Sequence, residues 1–331
     1  MKEVLHKLTS HMTLSREEAK AILVGIASGK YNQSQVSSFL TVFMMRLITV
    51  EELMGFRDAL LELCVRTDLD GQNTIDMCGT GGDGKNTFNI STLASFVVAG
   101  TGEKVAKHGN YGVSSASGSS NMLEYFGYKF SNSRNKLLME LDKSGICFLH
   151  APLFHPAMKN VGPVRKELAL KTFFNILGPM VNPTFPPNQL MGVFSLETAR
   201  LYHYIYQQTG RNYKIIYALD GYDEVSLTGS FKVISNSGEH LLEPEDLEMD
   251  YVRAEDIFGG NSVEEAAEIF EDILEGRGTD AQNNVVLANA ALGLQTIHPA
   301  MSIKEAVEKA RESLLGGRAK SVFKKLIEMN S

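Results

Sequence analysis

The sequence predicts an α/β fold in two parts: a small N-terminal helical domain over residues 1–70 and a larger α/β domain over 73–331 with a central, largely parallel sheet. Three observations predict it. The first 70 residues carry helical periodicity and no strand signal. From Asn73 onward, strand-like runs alternate with helix-like ones, as a parallel sheet with crossover helices requires. The 331 residues, 44% apolar and 21% charged, have ordinary globular composition and a length that suits one large domain or two.

Each element has its own signal. Ser15 and Glu18 have capping-box spacing ahead of Ala19, Ile22, Leu23 and Ile26, which share one helical face, and Gly29 suits the C-terminal stop. Asn32 opens a second helix through Val36, Phe39, Leu40, Phe43 and Met44. Thr49 and Glu52 form another capping box before Leu53, Phe56, Leu60 and Leu63, and residues 68–71 read as a linker. Residues 74–78 are the first strand, followed by a Gly-rich loop and a helix over 91–100. Residues 103–107 are the second, followed by a Gly/Ser-rich loop and a helix over 119–126. Further strands are expected at 214–219 and 232–235, and closing helices at 263–274, 281–292 with Gly293 as its stop, 303–315 and 319–329.

Composition excludes several functions. With 32 basic against 39 acidic residues the formal charge is −7, which argues against a general nucleic-acid binder, because counterion release needs clustered Lys and Arg. An anionic ligand must then be held by local devices: backbone amides, a few placed cations or a metal. Cys64, Cys78 and Cys147 are odd in number and lack C-x-x-C spacing, so neither a disulfide framework nor a zinc site is expected, and a reducing cytoplasm is. No run of 18 apolar residues occurs and the first 23 residues are punctuated by charge, so no membrane span or signal peptide is expected.

Nine of the 29 glycines fall between Gly79 and Gly118. Gly79-x-Gly81-x-x-Gly84 mimics a dinucleotide fingerprint, but residues 85–89 intervene where the helix should already have begun. Gly79-x4-Gly84-Lys85 mimics a P-loop, but Asn86 stands where a Ser or Thr should hold magnesium. What survives is physical: a glycine run after a strand turns amides inward into an anion-binding concavity, and Asn89, Ser91 and Thr92 cap the helix that follows. A plain strand-to-helix turn would need only one or two of these residues. The second loop, from Lys107 to Ser120, supplies a cation, an imidazole, an amide and five serine hydroxyls within 14 residues. Serine-rich stretches are often flexible linkers, but this one lies between a strand and a helix of the same core. Loops at the carboxyl ends of neighbouring parallel strands converge on one crevice, so a ligand with several anionic groups, such as a phosphate and a diphosphate, is expected.

Gly79-Thr-Gly-Gly-Asp83 with Asn89-x-Ser91-Thr92, then Lys107-His-Gly-Asn110 with 114–119, resembles the anthranilate phosphoribosyltransferases. The resemblance continues through 155–159, Gly162-Pro-Val-Arg165, 172–179 and Asp223-Glu-Val-Ser226, and spans nearly the whole chain in order. It implies the nucleoside phosphorylase/phosphoribosyltransferase-like fold, with a segment near 162–183 returning to the helical domain, an active site between the domains and hinge closure over it. It implies transfer of phosphoribosyl from phosphoribosyl pyrophosphate (PRPP) to the amine of anthranilate in tryptophan biosynthesis, by positioning and anion stabilisation with no catalytic protein nucleophile.

Carried over residue by residue, the resemblance puts PRPP on Gly79, Gly82, Asp83, Thr87, Asn89, Ile90, Ser91, Thr92, Lys107, His108, Gly109, Asn110, Tyr111, Gly112, Val113, Ser114, Ser115 and Ser119. Anthranilate falls to Gly79, His108, Asn110 and Arg165, whose guanidinium offers a bidentate fork to a carboxylate. Ser91, Asp223 and Glu224 would hold Mg2+, two ions per site. Outside this context Asp223-Glu224 would read as a solvated acidic turn, Arg165 as a surface helix charge and His108 as a structural histidine. Many members carry Arg where this chain has Tyr111, one candidate cation fewer beside the phosphoribosyl group. The resemblance also implies a homodimer formed through the helical domain, with no nucleic-acid or membrane partner. Two other readings stand beside it: a pyrimidine nucleoside phosphorylase-like enzyme, and a non-catalytic relative that binds nucleic acid.

Overall fold

A computed structural model describes residues 1–112 and 117–330. The chain forms two compact units, one of residues 1–67 and 151–185, the other of 68–150 and 186–331. The returning segment of the first unit is thus wider than the expected 162–183.

The first unit starts with helices Lys2–Thr9, Arg16–Ala27, Gln33–Met45 and Val50–Leu63. Ser15, Asn32 and Thr49 each close a capping box, so the expected starts coincide with the observed ones. Gly29, at φ +73°, ends the second helix. The second and fourth helices cross closely because Gly55 has no Cβ: one there would stand 2.3 Å from the Arg16 carbonyl. Phe39, Phe43 and Phe56 meet Phe173 of the returning segment, and Phe56 stacks on Phe173 with centroids 4.3 Å apart. Glu52 is wholly buried. Burial alone would raise its pKa, but the Arg46 guanidinium and the amides of Leu14 and Thr49 bond its carboxylate and hold it below the ordinary range.

The second unit is a seven-stranded sheet of β1 (Thr74–Gly79), β2 (Lys104–Gly109), β3 (Ile146–His150), β4 (Asn188–Gly192), β5 (Asn212–Ala218), β6 (Phe231–Ser235) and β7 (Gly238–Leu242). The order is β3-β2-β1-β4-β5-β6-β7, parallel from β3 to β5 and antiparallel for β6 and β7. Helices Ile90–Gly100 and Asp280–Ile297 pack against the sheet and carry much of the core, including Phe96, Val97, Leu287 and Leu292. Gly293 is no stop: the helix runs on to Ile297, and the missing side chain makes room for the Met77 methyl, 2.9 Å from where a Cβ would sit. Among the described residues the cysteines are free, and no helix is long and apolar enough to cross a membrane.

Candidate active site

The chain leaves β1 for β2 on one side and returns to β4 on the other. That reversal opens a crevice at the carboxyl ends of β1 and β4, the position where open α/β sheets bind ligands. Gly79 and Gly192 lie side by side at the mouth, paired in register. Asp223 lies over both: a Cβ on Gly79 would stand 2.3 Å from its Oδ2, and one on Gly192 1.5 Å from its carbonyl oxygen.

From this seat the acidic pair reaches the Gly-rich loop. The Gly81 amide donates to Asp223 Oδ2 at 2.6 Å, and the Ser91 amide donates to Glu224 Oε1 at 2.9 Å. Ser91 lies in the first turn of the helix Ile90–Gly100, so Glu224 satisfies an amide at a positive dipole end. Asn89 holds the N-cap position, but its side chain makes no cap bond. Its Nδ2 donates instead to the Ser117 carbonyl at 3.1 Å and ties the first loop to the second. The expectation that Asn89 caps with its side chain is corrected accordingly, because a remote carboxylate has taken the amide.

Burial raises the pKa of Asp223, and the negative charge of Asp83 raises it further. Burial likewise raises that of Glu224, with the charge of Asp223 adding to it. Carboxyls held this way favour a cation among them. Among the described residues no set of three or more His, Cys, Asp and Glu side chains is arranged to hold a metal unaided. The fit is with magnesium, which takes one or two carboxylates and completes its shell with phosphate oxygens and water. Ser91, Asp223 and Glu224 offer only the oxygen donors a hard cation prefers.

Lys107 is buried at the end of β2, where its ammonium donates to the Met77 carbonyl and lies 3.5 Å from Ser91 Oγ. Burial lowers its pKa. It therefore braces the floor under the helix start. The amide of the buried residue His108 donates to Asp76 Oδ1 at 3.0 Å. The Asn110 carbonyl accepts from the Ser120 amide at 3.2 Å, and a Cβ on Gly109 would stand 2.3 Å from Ser119 Oγ. Tyr111 turns back onto the helix Ser119–Tyr125: its hydroxyl donates to Glu124 at 2.8 Å, and its ring meets His150 edge-on. Asp83 Oδ1 accepts from the Lys85 amide at 3.0 Å, and Thr87 pairs with Phe258 in an isolated antiparallel bridge. Ile90 and Thr92 are buried, so what Ile90 offers a ligand is its backbone. Val113, Ser114 and Ser115 lie outside the described residues.

The residues expected from Gly79 to Gly112, with Ser119, Asp223 and Glu224, all belong to the second unit. Arg165 belongs to the first. It lies on the helix Gly162–Leu168, its guanidinium 5.2 Å from the Phe174 ring centroid, and burial lowers its pKa.

Sequence reasoning missed three residues. Gly192 seats Asp223, but a lone glycine after a short strand carries no signature. Asp76 is a buried acid in the strand that feeds the Gly-rich loop, and a carboxylate among apolar strand residues was the signal available. Asn121 closes the neck of the second loop, its Oδ1 accepting from the amides of Gly112 at 2.9 Å and Gly118 at 3.0 Å.

Comparison with known proteins agrees with this geometry. Residues 71–320 match the model of the glycosyl transferase family a/b domain, and residues 2–64 that of its helical bundle domain. The anthranilate phosphoribosyltransferase of Flavobacterium johnsoniae is 61% identical over 330 residues, covering 100% of both chains. Among solved structures, that of the anthranilate phosphoribosyltransferase of Thermus thermophilus superposes with a TM-score of 0.91 at 30% identity, covering 98% of each chain. The Saccharomyces cerevisiae enzyme, solved in complex with PRPP and Mg, gives 0.91 at 28% identity over 98% of this chain and 96% of that one. The chain belongs to the glycosyl transferase family with a helical bundle and an a/b domain and, within it, to the anthranilate phosphoribosyltransferases.

Proposed function

We propose that this chain transfers the phosphoribosyl group of PRPP to the amine of anthranilate, giving N-(5-phosphoribosyl)anthranilate and pyrophosphate in tryptophan biosynthesis. One observation carries the reading: Asp223 and Glu224 accept from the amides of Gly81 and Ser91, which joins an acidic pair to a Gly-rich loop at the sheet's reversal point. The full-length relative at 61% identity bears the same activity in its name. In that light the phosphorylase and nucleic-acid readings have no observation in their favour.

The donor rests on Gly79, Gly82, Asp83, Thr87, Asn89–Thr92, 107–115 and Ser119. The inward amides of the first loop and the start of the helix Ile90–Gly100 receive the diphosphate. The C1–oxygen bond to the diphosphate breaks, a C1–nitrogen bond forms to anthranilate, and the amine gives up a proton as pyrophosphate leaves. Charge grows on the leaving group, so donors already aimed at it stabilise the transition state more than the ground state. Asp223, Glu224 and Ser91 hold Mg2+, two ions in our reading, and magnesium supplies charge neutralisation on the diphosphate. The complex of the yeast enzyme with PRPP and Mg supports the metal. Lys107, bonded to the Met77 carbonyl and near Ser91, keeps the helix start in place. Arg165 takes the anthranilate carboxylate, and Gly79, His108 and Asn110 are the anthranilate residues that the second unit supplies. A homodimer in the cytoplasm completes the proposal.

Anthranilate fluorescence tests it. The chain has no Trp, so protein emission is low. Loss of the signal should require PRPP and magnesium together. A folded protein at high concentration that leaves the signal intact would overturn the reading.

A further inference from the structure

We infer that residues 257–260, far along the chain from the Gly-rich loop, form a strap that positions this loop for the donor. The inference rests on the donor reading above and adds to it a segment that touches no substrate. The segment runs antiparallel to residues 86–88. The Phe88 amide donates to the Ile257 carbonyl at 3.3 Å and the Gly259 amide donates to the Asn86 carbonyl at 2.8 Å, and these two bonds make the antiparallel bridge of Thr87 with Phe258. The Asn86 side chain adds a third tie, its Nδ2 donating to the Gly260 carbonyl at 2.7 Å.

Two glycines make this approach feasible, for different reasons. At Gly259 the reason is space: a Cβ would stand 2.4 Å from the Thr87 carbonyl oxygen and 2.7 Å from the Phe88 nitrogen, both backbone atoms that cannot swing aside. At Gly260 it is conformation: φ is +83°, a left-handed turn that delivers the chain to Ser262, the N-cap of the helix Val263–Leu274. Ile257 and Phe88 are both buried in the core, so each side of the contact is anchored. The loop from Gly79 to Asn89 is thus held near its start by Asp223, through the Gly81 amide, and near its end by the strap. What lies between, Gly82 to Lys85, is the glycine turn itself. The strap fixes the peptide planes around Thr87, immediately ahead of the helix start at 89–92. A shift there displaces the diphosphate-binding amides first, whereas the anthranilate residue Arg165 belongs to the other unit.

Asn86→Ala and Gly259→Ala test this by steady-state kinetics on the full chain, with melting followed by circular dichroism. Loss of one or two ties should raise the KM for PRPP about tenfold, the scale of one hydrogen bond's net contribution. The KM for anthranilate and kcat at saturating PRPP should hardly move in either variant; the melting midpoint should hardly move in Asn86→Ala and should fall in Gly259→Ala, whose Cβ meets backbone. If Gly259→Ala does not fold, Asn86→Ala decides alone. A PRPP KM within twofold of the parent overturns the inference, and so does a parallel rise of both KM values or a fall in kcat alone. A parent without PRPP-dependent loss of anthranilate would sink the functional reading and this inference together, whereas an active parent with unresponsive variants sinks only the strap.

Discussion

Gly79 and Gly192 flank Asp223 because nothing larger fits there, and the consequence is measurable at each. Gly192→Ala places a Cβ where the Asp223 backbone now lies, so the acid must leave its seat. The variant should lose the magnesium response of the reaction and, as an overpacked site, about 1–3 kcal/mol of stability, which a magnesium titration and a urea melt would record. Asp223→Asn with Glu224→Gln should weaken the response to magnesium by about 10- to 100-fold without the stability cost, since the shape is kept. Arg165→Ala should raise the KM for anthranilate about tenfold or more, the value of a charge-assisted bond, with that for PRPP unchanged. If the acid variant and the arginine variant both behaved like the parent, the site assignment would fail even with the activity intact. Asp223, Glu224 and the first loop were legible because several side chains of special type stand at fixed offsets. Gly192 and Asn121 were not, because their importance lies in what a distant segment brings to them, and spacing along the chain holds no trace of that.

Helix ends were read well, and strands unevenly, for a reason that belongs to the elements. Capping is local: Ser15 with Glu18, Asn32 with Gln35 and Thr49 with Glu52 form their bonds within one turn, so four residues of sequence contain the whole signal. β3 and β4 are buried at every one of their five positions, which removes the alternation that marks a half-exposed strand. Gly293 misled for the opposite reason, since a glycine looks alike whether it ends a helix or clears space beside one. The contrast with Gly55 gives a prediction. Both lie inside helices, where alanine is intrinsically favoured by about 1 kcal/mol. At Gly293 the obstacle is the tip of the Met77 side chain, which can turn away; at Gly55 it is the Arg16 carbonyl, which cannot. In thermal melts Gly293→Ala should stay within about 1 kcal/mol of the parent, and Gly55→Ala should lose about 1–3 kcal/mol.

On the scale of the whole molecule, stability should depend on pH through His155. Burial lowers its pKa to about 4, partly opposed by the hydrogen bond between Nε2 and the Val181 carbonyl. A histidine with a lowered folded pKa binds fewer protons folded than unfolded between about pH 4 and 6.5. Its contribution is therefore complete above 6.5 and lost as pH falls toward 4, by up to about 3 kcal/mol. Urea melts between pH 7 and 4.5 should show a steeper decline for the parent than for His155→Gln, and equal slopes would refute the assignment. The first unit is also discontinuous, since Phe173 completes the ring cluster begun by Phe39, Phe43 and Phe56. That arrangement has a consequence in time. As the chain grows on a ribosome, Phe173 is added roughly a hundred residues after Thr67, a delay of about 5–20 s at 5–20 residues per second. For that interval three aromatic side chains of a nascent bundle wait without the ring that stacks on them, and a chaperone that meets this chain during synthesis should find its binding site there.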